Sequence, residues 1–103
     1  RVRVPSPRLV SLRATRVRVI QKIRSNVAAR ATITVIGKNR KVVARRTVRL
    51  AANRTKTKKL SVSRARLRGA SRVRVKVQVK DGARHTRTST HLARVPRIPV
   101  KYR

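Results

Sequence analysis

At 103 residues the chain holds one domain at most, and its core material is nearly all Val, Ala, Leu and Ile: Phe, Trp, Met and Cys are absent and Tyr102 is the only aromatic. Thirty-two Lys and Arg face a single acid, Asp81, for a formal net charge of +31, so self-repulsion opposes the compact state until salt, a polyanion or an acidic partner supplies negative charge. The composition excludes a disulfide framework and a thiolate metal site, and the apolar runs are far too short for a membrane span.

Arg1-Val2-Arg3-Val4 alternates and is followed by Pro5-Ser6-Pro7, which favours extended backbone and removes two ladder donors. Residues 1–7 therefore read as a strand and proline linker, either ending a preceding domain or forming an edge strand of this one. The chain opens on Arg1 rather than Met, as expected of a processed product or a piece of something longer. Arg8 to Ile20 carries the next strand signal, and Gln21 to Asn26 reads as a polar connection. Ala29, Ala31, Ile33 and Val35 alternate with polar residues as a clear strand, which ends in Gly37-Lys38-Asn39-Arg40. That turn has two residues that tolerate positive φ.

Val42 to Leu50 resumes extended structure, but Arg46 falls on the inward face, which predicts a bulge or a change of sheet there. After the turn at Ala51 to Arg54, Thr55 to Ser63 forms a strand with Leu60 and Val62 inward. Ser63 to Gly69 is the one helical candidate, a single turn with Ser63 as cap, Leu67 as core plug and Gly69 as stop. Arg72 to Lys80 is the best strand in the chain: Val73, Val75, Val77 and Val79 share one face and Arg72, Arg74, Lys76, Gln78 and Lys80 the other. Asp81-Gly82 turns it toward a Thr-rich partner over Thr86 to Val95, and Pro96 and Pro99 confine the rest to an edge strand or tail.

About seven short strands at roughly 8–12-residue spacing, apolar inward and basic outward, predict an all-β fold. The architecture expected is an antiparallel immunoglobulin/fibronectin-III-like β-sandwich over residues 8–95, followed by a Pro-containing extended tail at 96–103. The successions Ala31 to Val35, Lys41 to Ala52, Leu60 to Gly69 and Arg72 to Gly82 resemble the Arg-rich immunoglobulin-like modules of secreted and surface proteins from high-GC Gram-positive bacteria. The chain departs from that pattern in its near-total lack of acids. The resemblance implies a sandwich used as a spacer, adhesive or packing module and brings no catalytic residues.

Catalysis by carboxylate, histidine or thiol has little to build on. Asp81 sits where a hairpin turn wants Asp before Gly. His85 and His91 read as exposed strand histidines about 20 Å apart, too far to share a metal. Gly37, Gly69 and Gly82 are isolated, so no phosphate-cradling loop is present. The chain is read as non-enzymatic and without a cofactor.

What remains is a polyanion site. Arg72, Arg74, Lys76 and Lys80 form a row of cations about 6.6–7 Å apart, close to the spacing of successive phosphates in a single strand. Arg16 and Arg18, with Lys56, Lys58 and Lys59, are expected to widen it into one basic surface. Such a surface would bind an anionic polymer (cell-wall polymer, acidic polysaccharide or nucleic acid) through counterion release, or acidic protein subunits. Without stacking aromatics, base readout is not expected. Both termini have strand character set off by prolines, which predicts self-association by strand addition to a neighbouring copy or partner. The settings that fit are an extracellular, cell-surface or virion assembly, or else a nucleic-acid packaging or ribonucleoprotein complex in the cytoplasm. Arg-rich composition from GC-rich coding is the bland alternative.

Overall fold

The computed structural model describes residues 2–13, 16–67, 71–82 and 85–95. Eight strands follow the alternation: β1 Val2–Arg3, β2 Arg8–Arg13, β3 Arg16–Ser25, β4 Ala29–Ile36, β5 Val42–Leu50, β6 Arg54–Ser63, β7 Arg72–Asp81 and β8 Thr86–Arg94. One helical turn, α1 Arg64–Leu67, links β6 to β7, and a 3-10 turn spans Lys38–Arg40. All strand pairs are antiparallel. The first sheet places β1 and β2 along one edge of β3 and β6 along its other edge; the second runs β5-β4-β7-β8. This is the expected all-β antiparallel sandwich of two four-stranded sheets, with β5 paired to β4 rather than to β6.

The core is what valine-rich period-two strands produce when two sheets bury one face each. Val17, Val19 and Ile23 from β3 meet Ala31, Ile33 and Val35 from β4 and the four valines of β7, with Leu60, Val62 and Leu67 closing one end. Leu67 is the plug expected of the helical turn; Gly69, its expected stop, lies outside the described residues.

Several local expectations are corrected. Arg8 to Ile20 is not one strand: the chain reverses between Arg13 and Arg16, which pair directly, so β2 and β3 form a hairpin. Gln21 to Ser25 is not a connection but the second half of β3, with Gln21, Ile23 and Ser25 all fully buried. Residues Val4 to Pro7 lie opposite Gln21 to Ile23, where the ladder between β1 and β2 is interrupted. The buried Gln21 side chain fills the gap, its Nε2 donating to the carbonyls of Pro5 at 2.8 Å and Lys22 at 2.9 Å.

Arg46 does not mark a bulge. It pairs in register with Ile33, and the extra residue is Val43, between the pairs Val35–Ala44 and Ile36–Val42. The sheet change comes later, at the turn after Leu50, where Asn53 adopts φ 60 and its N–H donates to the Ser25 carbonyl at 2.8 Å. An inward-parity arginine is tolerated because β5 is an edge strand and the side chain reaches solvent. At the β4–β5 turn, positive φ falls on Asn39 and Arg40. Gly37 instead has an extended backbone, and a Cβ there would sit 3.2 Å from Val43 Cγ1, so glycine serves close packing there.

Candidate polyanion-binding face

The outer face of the second sheet is built by register. Arg30 lies opposite Arg49 on one side and Lys80 on the other, so three cations stand abreast on β5, β4 and β7. Neighbouring strands lie about 4.8 Å apart. The next row is neutral, Thr47-Thr32-Gln78-Thr88, with the Thr32 and Thr47 hydroxyls 3.4 Å apart. Arg45 and Lys76 then flank Thr34, and Arg72 pairs with Arg94 at the far end. Between them runs an apolar row, Val42 and Ile36 beside Arg74 and then Leu92, with Val42 49% and Leu92 60% exposed.

This face is hollowed along its length. A depression of about 560 Å³ lies around Arg30, Arg49 and Lys80, and one of about 510 Å³ lies around Thr34, Arg45 and Lys76. They share Thr32, Thr47 and Gln78. A third of about 240 Å³ continues past Ile36 to Arg40, Arg72 and Arg74. Together they make a shallow basic trough, roughly 27 Å from Lys80 to Arg72 at strand rise.

The residues expected to form one surface are divided. Arg72, Arg74, Lys76 and Lys80 line the trough, whereas Arg16, Arg18 and Lys59 project from the outer face of the first sheet, on the opposite side of the sandwich. Arg16 there donates through Nη1 to Ser61 Oγ at 3.2 Å. Lys56 and Lys58 belong to neither outer face. They share the inward parity of Leu60 and Val62 and lie opposite Ile23 and Gln21 on the edge strand β6, Lys56 exposed and Lys58 half-buried. β6 lies alongside β5, which carries Arg46, so inward-parity cations stand on both strands of this open side. Charges so placed block pairing with another sheet edge. Arg30, Arg45 and Arg49 complete the trough, with Arg94 beside Arg72 at its far end, and none of the four is among the expected residues. Their outward parity is readable from the alternation, but which strands neighbour β7 is not.

Asp81 closes the β7–β8 hairpin: its Oδ1 accepts from the His85 backbone N–H at 2.9 Å, its own N–H donates to the His85 carbonyl at 3.1 Å, and Oδ2 lies 3.3 Å from His85 Nδ1. His85 is exposed, as expected, but precedes β8. His91 corrects the expectation of an exposed strand histidine. It pairs with Val75 on the inward side of β8, half-buried, with Nδ1 enclosed and without a hydrogen-bond partner.

Among the described residues no three of His, Cys, Asp or Glu cluster as metal ligands, and no helix is long and apolar enough to cross a membrane. No family model matches the chain, and no curated protein matches it either.

Proposed function

We propose that the chain is a non-enzymatic structural or assembly module that holds a linear polyanion in the trough of its second sheet, without reading sequence. The observation that carries this is the row Arg49-Arg30-Lys80, three cations directly abreast, with Asp81 at the end of the same depression as the single acid beside them. Like charges placed opposite across strands destabilise a sheet, and an anion lying along the row removes that cost. Arginine predominates in the trough, and its planar fork suits phosphate and carboxylate groups alike.

The resemblance to Arg-rich immunoglobulin-like surface modules fits a cell-wall polymer or acidic polysaccharide in an extracellular, cell-surface or virion assembly, with acidic neighbouring subunits able to supply the same charge. Nucleic acid in a packaging complex is the alternative, favoured by the cation spacing along β7. With no aromatic on the described face, contact would be to the backbone alone.

The test is fluorescence anisotropy with a labelled 20-base-pair duplex over a salt series, competed by polyphosphate and by an acidic polysaccharide. Log affinity should fall linearly with log salt and be equal for shuffled sequences. Replacing Arg30, Arg49, Lys76 and Lys80 by Gln should lower the slope by about 3–4. An unchanged slope would place the polymer elsewhere. Preference among the competitors identifies the polymer class.

A further inference from the structure

The first sheet turns a second cationic face to solvent. β3 presents Arg18, Lys22 and Arg24 there, with Arg8 on β2 and Lys59 on β6 flanking Ile20. Asp81, the only acid in the chain, lies on the other sheet. The described residues form a slab of 49 × 26 × 16 Å, and these two basic faces are its broad sides, back to back.

We infer that the domain is bivalent and bridges two polyanion segments, one against each sheet. The inference rests on the proposed function for the first face and adds a second, independent one. A stiff polymer cannot serve both: duplex DNA bends over a persistence length of about 50 nm, far more than the thickness of the slab. Nor does a polymer on one face repel one on the other. Packed sheets lie about 10 Å apart, and side chains on both sides add to that, which exceeds a Debye length of about 8 Å at physiological salt. Each face therefore attracts its own segment, and the module acts as a cross-link within a polyanion mesh.

The experiment uses the full chain at 0.15 M salt with an equimolar mixture of donor-labelled and acceptor-labelled 20-base-pair duplexes. Energy transfer should rise as protein is added, then fall again in excess protein, when each duplex is held by separate molecules. A rise without the fall indicates charge-driven aggregation and overturns bivalence. The variant Arg8→Gln/Lys22→Gln/Arg24→Gln, whose changes are all exposed on the first sheet, should keep binding by anisotropy through the trough. It should lose at least five-fold of the energy transfer. Undiminished transfer in that variant also overturns the inference. Absence of binding by the unmodified chain to the duplex, to polyphosphate and to the acidic polysaccharide alike would instead remove the proposed function on which it rests.

Discussion

The side-chain amide of Gln21 donates to the carbonyl of Pro5 at 2.8 Å, inside a sheet whose ladder Pro5 and Pro7 interrupt. Proline brings no N–H, so the edge opposite Gln21 to Ile23 needs another donor, and a fully buried glutamine supplies one. Its Oε1 is left buried without a partner, which indicates that the donor half of the amide is the useful half. Gln21→Leu should cost about 1–3 kcal/mol by stranding the carbonyls. Gln21→Glu should cost more, because it aims a carboxylate at two carbonyl oxygens. Urea unfolding of the three proteins checks the order; a Glu variant as stable as Leu would refute it.

Ile33 and Val77 pair directly at the centre of the second sheet, both fully buried. With no aromatic in the described core, each aliphatic side chain carries a large share of the burial. Ile33→Ala should cost about 2–5 kcal/mol, and Ile33→Val about 0.5–1.5 kcal/mol. Because domains are marginally stable, the Ala variant should show a visibly populated unfolded fraction by circular dichroism at 25 °C and low salt. The Val variant should not.

The strands legible in the sequence are those whose parity is unbroken. Val73 to Val79 and Ala29 to Val35 announce both their extension and their buried face. The β2–β3 hairpin was hidden because the alternation runs on toward Ile20 and no Gly, Pro, Asn or Asp lies between Arg13 and Arg16. Gln21 looked like a loop residue because its worth depends on Pro5, sixteen positions away. Arg46 looked like a fault in the strand because edge position, which lets an inward arginine reach water, is a property of topology. The candidate site divides the same way. Its β7 row was readable, but Arg30 and Arg49 join it only through cross-strand register, which sets long-range neighbours and is invisible in any local window.

Lys58 on β6 and Arg46 on β5 share an inward parity that hydrophobic residues occupy elsewhere on their strands. Their replacement by Val should leave the folded monomer at least as stable, since the change adds apolar area at the sandwich edge. It should also expose two pairing-competent edges. The double variant Arg46→Val/Lys58→Val is expected to associate with rising concentration in sedimentation velocity. Lys59→Val, on the outer face, should sediment as the parent does at the same concentrations. Equal association by both would assign the effect to lost charge rather than to edge protection.

Arg30 faces a cation on each side, Arg49 and Lys80, so the unliganded trough is held together against its own charge. Each like-charged pair costs about 0.2–1 kcal/mol, and Arg30→Thr relieves two of them while keeping a residue suited to a strand. The variant should therefore melt higher than the parent at low salt. That gain should vanish in 1 M NaCl, where the Debye length shrinks to about 3 Å. A polyanion bound along the row should reverse the ranking, because the parent then gains a contact that the variant lacks. Melting curves at both salts, with and without duplex DNA, separate the terms. A gain that survives 1 M salt would trace to threonine's strand preference instead of repulsion. A ranking that DNA leaves unchanged would mean that Arg30 does not touch the polymer.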